Sequence, residues 1–97
     1  VDDDENMRTA LCEALSRSGY SVDTAADAET GLRKVESEDF RLVVSDIRMP
    51  RKSGLELLAE IKQSHPEMPV VLITAYGTVD TAVEAMRLGA DDYLLKP

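Results

Sequence analysis

Four acids stand side by side near the start of the chain, Asp2, Asp3, Asp4 and Glu5 in the stretch VDDDEN. Like charges at contact distance repel and raise one another's pKa, so such a run is either solvated surface or the wall of a cation site. Donor sets made only of oxygen favour Mg²⁺ or Mn²⁺ over zinc. Mg²⁺ typically takes one or two carboxylates and keeps waters that a phosphate can displace, which makes phosphoryl handling the natural chemistry of the site. Next to a metal that offsets charge on both partners, an aspartate can attack phosphorus and form an acyl phosphate. Asp46 suits that role because it stands apart from other acids, leaving Asp2 and Asp3 to hold the ion. Lys96 then supplies a point charge to the phosphoryl oxygens, and the Thr74 hydroxyl donates a hydrogen bond to another.

These residues meet only if the chain returns repeatedly to one place, and the hydrophobic pattern says how it does so. Met7, Ala10, Leu11, Ala14 and Leu15 recur at helical spacing, and Gly19 closes that first helix. SVDTA at 21–25 alternates like a short, half-exposed strand, and Asp27 caps a second helix carrying Ala28, Leu32 and Val35. LVVS at 42–45 reads as a strand covered on both faces, with Asp46 directly at its end. MPRKSG is a turn, after which Ser53 and Glu56 fit the capping box of a third helix with Leu57, Leu58 and Ile61 on its apolar face. HPEMP breaks the chain, and VVLIT at 70–74 is a second buried strand ending at Thr74. A fourth helix carries Val79, Ala82, Val83 and Met86 and ends at Gly89; DYLLKP at 92–97 is a last strand stopped by Pro97. Val1 reads as the final residue of one further strand. Strict alternation with short connections predicts a doubly wound α/β fold, a parallel sheet with right-handed crossovers and helices on both faces. Ligands in such sheets sit outside the carboxyl ends of the strands, where strand order reverses. Asp2, Asp3, Asp46, Thr74 and Lys96 all follow strand ends, so the pattern gathers them on one rim.

Bulk properties narrow the function further. Ninety-seven residues with 43% apolar content suit one domain with a small aliphatic core. A net charge of −8 repels nucleic acid and anionic lipid, which argues against direct contact with either. Cys12 is the single cysteine, so no internal disulfide is expected, and no signal-peptide core or membrane-crossing run is present. A soluble cytoplasmic domain is the expectation.

The motifs VDDD at 1–4, SDIRMP at 45–50, ITA at 73–75 and GADDYLLKP at 89–97 resemble, in order and spacing, the receiver domain of bacterial two-component response regulators. The likeness covers the whole chain as a single receiver domain, 1–97. It implies a flavodoxin-like five-stranded sheet of order 2-1-3-4-5, with the first strand and last helix truncated in this chain and the domain a fragment of a longer one. It makes Asp46 the acceptor of a phosphoryl group from a phosphohistidine on a sensor histidine kinase. Asp3 and Asp46 would ligate Mg²⁺ directly, Asp2 directly or through water, and the Arg48 main-chain carbonyl would complete the protein ligands. Thr74, Ala75 and Lys96 would bind the phosphoryl group. Thr74 and Tyr93 resemble the family's switch pair, and the Lys96–Pro97 bond resembles one that is usually cis. Arg48 and Tyr76 flank the site and are expected to tune the phosphoryl lifetime. SDIRMP, TAYG and GADDYLLKP look most like receivers of the nitrogen-regulatory type, which are attached to an AAA+ ATPase and a DNA-binding domain. A stand-alone receiver or another output remains the alternative, and a homodimer is compatible with either. The resemblance implies a signalling switch with autocatalytic phosphotransfer and autodephosphorylation, not a metabolic enzyme.

Other readings compete at each position. The acidic run alone equally fits a helix start, since acids favour the positive end of the helix dipole. Asp2, Asp4, Asn6 and Glu13 match calcium-loop spacing, but Met7 stands where that loop needs glycine. Lys96 also fits an edge strand facing water, and Tyr93 a core position. Met49 and Met86 read as core filler, His65 as an exposed turn residue, and Cys12 as a small, partly buried side chain. A hydrolytic aspartyl phosphatase would carry a second acid two residues after its nucleophile, where this chain has Arg48. A receiver-like interaction module without phosphorylation is the remaining alternative.

Overall fold

Each helix begins where a short polar side chain takes up its first free N–H groups. Asp4 accepts from Asn6 N at 2.9 Å and Met7 N at 3.4 Å. Asp27 accepts from Thr30 N at 2.8 Å, Ser53 from Glu56 N at 3.2 Å and Thr78 from Thr81 N at 3.1 Å. These caps start α1 (Glu5–Arg17), α2 (Ala28–Ser37), α3 (Gly54–Ser64) and α4 (Val79–Arg87). The strands between them are β1 (Val43–Asp46), β2 (Val70–Thr74) and β3 (Asp92–Leu95). The computed structural model describes residues 1–75 and 77–96. Tyr76 and the Lys96–Pro97 bond singled out above lie outside the described residues.

Among the described residues the sheet has three parallel strands in the order β1-β2-β3. The register runs from Val43 opposite Val70 to Asp46 opposite Ile73, and from Val71 opposite Asp92 to Thr74 opposite Leu95. These are the last three strands of the expected five. The expected strand at 21–25 forms no ladder, which corrects that reading, and the first strand is represented by Val1 alone. Val1 N donates to Val44 O at 2.5 Å, and Val1 O accepts from Asp46 N at 2.8 Å. On the other side Asp2 N donates to Ala25 O at 3.1 Å. Residue 25, Val1 and β1 therefore lie in the spatial order 2-1-3, with two hydrogen bonds between Val1 and β1 and one from Asp2 N to residue 25.

The two faces of the sheet differ. Val43, Ser45, Val70, Leu72 and Thr74 are fully buried, whereas the alternating Val44, Val71 and Ile73 are only half-buried. The buried face packs against Val35 of α2, Leu57, Leu58 and Ile61 of α3 and Ala85 of α4. Burial of a Leu or Ile side chain stabilises by roughly 1.5–3 kcal/mol each, so α3 contributes the largest share of this core.

Several helix-face expectations change. α1 buries no residue completely; Met7, Leu11, Cys12 and Leu15 are half-buried, while Ala10 and Ala14 face out. Ser53 caps α3 through its own hydroxyl. The reciprocal capping box appears instead at α4, between Thr78 and Thr81. His65 is the C-cap of α3 and half-buried, with Nδ1 3.1 Å from Ser64 Oγ, and not an exposed turn residue. Met49 packs on the core as expected, but Met86 is 53% exposed. The sequence of α4 offers two stripes, Val79-Val83-Met86 and Thr81-Ala85-Leu88. The core takes the second, with Ala85 fully buried and Leu88 packed against it.

Asp91 ties the far end of the sheet together. Its carboxylate accepts from Val70 N at 2.8 Å and from Lys62 Nζ at 3.2 Å, and Lys62 also donates to Met68 O at 2.6 Å. The Val70 hydrogen bond, followed by the Lys62 ammonium, holds the Asp91 carboxyl below the usual carboxylate range. Asp23, held by Lys34, and Asp27, held by the Thr30 amide, are lowered likewise. A depressed folded-state pKa means stability that is present above the unfolded value of about 3.9 and lost as pH falls through the folded value. The denaturant midpoint is therefore expected to drop as pH is lowered from about 5 to about 3. Asp91→Asn keeps an acceptor for Val70 N and should flatten part of that slope; an unchanged pH profile in this variant would contradict the assignment.

Candidate phosphoryl and metal site

The rim is built on Asp46, the last residue of β1, whose N–H and carbonyl are both bonded and whose neighbour Ile47 is tied to α3. Asp46 N donates to Val1 O at 2.8 Å, Ser45 Oγ donates to Asp46 O at 2.8 Å, and Gly54 N donates to Ile47 O at 2.8 Å. The side chain is fixed as well. Oδ1 accepts from Ile47 N at 2.7 Å and Oδ2 from Lys96 Nζ at 3.1 Å. Lys96 reaches there from the end of β3, and its own N donates to Thr74 O at 2.8 Å, tying the ends of β2 and β3 together.

Lys96 also donates to Asp2 Oδ2 at 2.9 Å, so one ammonium bridges two carboxylates. All three groups are poorly accessible: the Lys96 side chain is 14% exposed, and Asp2 and Asp46 are 3% and 9% exposed. Burial by itself pulls the Lys96 pKa down. The hydrogen bonds and charges of Asp2 and Asp46 outweigh it and hold the ammonium above the usual lysine value. Asp2 is oriented by Asp4 N, 2.9 Å from Oδ1, and its carbonyl accepts from Arg8 Nη1 at 2.8 Å. Asp3 is exposed beside it. One oxygen from each of Asp2, Asp3 and Asp46 lies within 4.8 Å of the others.

That spacing suits a hard cation. Three carboxylate oxygens this close together could share one ion, which would offset their mutual repulsion. All donors are oxygens, which matches Mg²⁺ or Ca²⁺ and disfavours zinc.

The acidic run thus divides its work. Asp2 and Asp3 face the rim, whereas Asp4 caps α1 and Glu5 lies in its first turn, so both readings hold for different residues. The calcium-loop alternative fails because Asn6 and Glu13 are already inside α1. Thr74 is buried at the end of β2, one strand over from Asp46, and Ala75 follows it as an exposed bend. Arg48 is exposed two residues past Asp46. Tyr93 lies opposite Leu72, and its hydroxyl is 2.8 Å from Thr81 Oγ1 on α4.

Sequence reasoning missed Arg8, Thr81 and Gly54. Gly54 carried a signal, since glycine is a poor helix former and here opens a helix. A Cβ at this position would overlap the Asp46 carbonyl oxygen and stand 2.9 Å from Asp46 C and Ile47 Cα, so only glycine lets α3 start against the end of β1. Gly54→Ala is expected to destabilise by about 2–3 kcal/mol despite alanine's better helix propensity, because the obstructing atoms are backbone and cannot rotate away. Chemical denaturation checks this; a stabilised variant would show that the turn yields freely.

A parallel sheet whose strand ends carry three acids and a bridging lysine belongs to the doubly wound class that handles phosphate at its carboxyl edge. Residues 1–97 match the response regulator receiver domain family, and the chain belongs to it. The chain is 47% identical over 97 residues to the response regulator protein FleR of Pseudomonas aeruginosa, covering all of this chain and 20% of that protein. It is 44% identical over the same length to the DNA-binding transcriptional regulator NtrC of Rhizobium meliloti, again 20% of that protein. The resemblance to nitrogen-regulatory receivers is borne out by these relatives, of which the chain spans about one fifth. Among solved structures, the response regulator TrrA of Thermotoga maritima in complex with Mg²⁺-BeF superposes with a TM-score of 0.91 at 38% identity, covering 99% of this chain and 82% of that one. A Burkholderia pseudomallei response regulator with a phosphorylated aspartic acid, calcium ion and citrate gives 0.92 at 34% identity, covering 99% and 56%. The flavodoxin-like receiver fold follows. No helix among the described residues is long and apolar enough to cross a membrane.

Proposed function

We propose that this chain is one receiver domain of a longer cytoplasmic regulator, a switch that takes a phosphoryl group from a sensor kinase's phosphohistidine onto Asp46. The observation that carries this reading is the shared Lys96 ammonium between Asp2 and Asp46 at a strand-end rim, within reach of the Asp3 carboxylate.

Asp46 is positioned as the nucleophile by the Ile47 amide on Oδ1, which orients the carboxylate, and by Lys96 on Oδ2. Attack forms an Asp46 O–P bond as the P–N bond to the donor imidazole breaks, with the electron pair leaving on nitrogen. Lys96 then stabilises charge on the transferred oxygens, and Thr74, with the Ala75 main chain, supplies further hydrogen bonds. Asp2, Asp3, Asp46 and the Arg48 carbonyl would hold Mg²⁺, with Mn²⁺ a substitute; bound there, the ion offsets the repulsion between carboxylate and phosphate. Autodephosphorylation reverses the bond-making, with water attacking phosphorus and the Asp46 carboxylate leaving. Thr74 and Tyr93 relay the change to an output domain, a transcriptional regulator with ATPase and DNA-binding parts being the reading the relatives favour. The kinase and that output are the partners, and a homodimer is compatible with the exposed α4 face.

Incubation with acetyl phosphate and Mg²⁺ is expected to add one phosphoryl group per chain by intact mass, mapping to the peptide that holds Asp46. Chelation with EDTA should abolish the adduct. Labelling elsewhere, or labelling indifferent to EDTA, would sink the proposal.

A further inference from the structure

α4 is lightly anchored beside α2 and α3, since Ala85 is its sole fully buried residue. Its first turn nevertheless carries a dense set of hydroxyl contacts. Thr81 Oγ1 accepts from Thr78 N at 3.0 Å, lies 3.0 Å from Thr78 O and Thr78 Oγ1, and is 2.8 Å from the Tyr93 hydroxyl. A threonine oxygen has one hydrogen and two lone pairs. With the Thr78 amide on one lone pair, the Thr81 hydroxyl and the Tyr93 hydroxyl share a hydrogen bond in which either can donate. Gly77 also lies close to this ring: a Cβ there would stand 2.9 Å from the Tyr93 oxygen and 3.4 Å from its ring.

We infer that Thr81 is a positioning residue of the switch, whose hydroxyl pins the first turn of α4 to Tyr93, so that movement of Tyr93 moves that turn and the exposed Val79, Val83 and Met86 stripe it leads. This rests on the reading of Asp46 and Tyr93 under the proposed function. Its physical basis is that the hydrogen bond joins the sheet to the first turn of a helix with a single fully buried residue. The same oxygen completes the helix cap, so loss of the tether and fraying of the cap are linked at one atom. The stripe is 79%, 53% and 53% exposed, and a shift of its first turn changes the surface offered to an output partner.

Amide hydrogen exchange on the full-length protein tests this, with and without Mg²⁺ and beryllofluoride. In the untreated protein, Tyr93→Phe removes only the tether and should speed exchange at Ala82 and Val83 about fivefold, the factor that one ordinary hydrogen bond carries. Thr81→Val loses the cap as well and should exceed this, whereas Thr81→Ser should behave as the wild type. Beryllofluoride should change exchange in this turn in the wild type and have less than half that effect in Thr81→Val, although the variant still accepts one phosphoryl group. Wild-type exchange in untreated Tyr93→Phe, or a full beryllofluoride response in Thr81→Val, overturns the inference. Failure of the wild type to accept phosphoryl at all would instead end the reading of Asp46, and the untreated Tyr93→Phe result would still decide the tether.

Discussion

Replacing Lys96 by methionine is expected to cost about 3–5 kcal/mol of stability in the absence of a divalent cation, and Mg²⁺ is expected to return much of it. The side chain bridges Asp2 and Asp46 at 2.9 and 3.1 Å, and all three groups are largely shielded from water. Methionine keeps the length and apolar stem but leaves two carboxylates facing one another without compensation. Removing one partner of a buried ion pair is far more damaging than the net worth of the pair, because the remaining charge stays desolvated. A cation bound by Asp2, Asp3 and Asp46 would replace the missing charge. Binding to the folded state alone adds stability as RT ln(1 + [L]/Kd), about 2.7 kcal/mol at one hundred times Kd. Denaturant titrations of wild type and Lys96→Met, each with EDTA and with Mg²⁺, read this directly. A variant as stable as the wild type in EDTA, or one that Mg²⁺ does not rescue beyond the wild-type gain, would mean that the acids are compensated elsewhere.

Asp46→Asn is expected to abolish the phosphoryl adduct altogether. An amide oxygen is a poor nucleophile and cannot form the acyl phosphate, and the Ile47 amide and Lys96 would then hold a neutral group where an anion is required. The folded structure should survive the change, since the amide oxygen still accepts from one of those donors and asparagine is nearly isosteric. Intact mass after acetyl phosphate treatment checks the chemistry, and the denaturant midpoint checks the fold. An adduct retained at wild-type level in a folded variant would move the acceptor to another residue, with Asp2 and Asp3 the next to replace.

The elements of the fold were legible because local patterns were strong. Capping side chains at Asp27 and Ser53, Val-rich runs at 42–45 and 70–74 and Gly89 after α4 each act over a few residues, and the structure places elements at or within a residue of them. Three kinds of feature were not legible. The stretch at 21–25 alternates like a strand, but ladder formation depends on a paired neighbour and not on local pattern, and its hydrogen bond to Asp2 N is no ladder. The choice of stripe on α4 depended on which face packs against the core, which periodicity does not encode. Met86 therefore faces out although its spacing matches a core position. Gly54 and Thr81 act across the sheet, through contacts with Asp46 and Tyr93 that no spacing rule contains.

The sequence by itself determined which side chains can do chemistry here and that they follow strand ends, because residue type and the alternation of strand and helix are local properties. Only the tertiary structure decided that one lysine would sit between Asp2 and Asp46, separated from it by 94 and 50 residues. It also decided that Asp4, next to two rim acids, would serve a helix instead. The physical reason is that electrostatic compensation depends on distance in space. A parallel sheet brings the ends of distant segments to one edge and turns neighbouring residues in the chain toward different tasks.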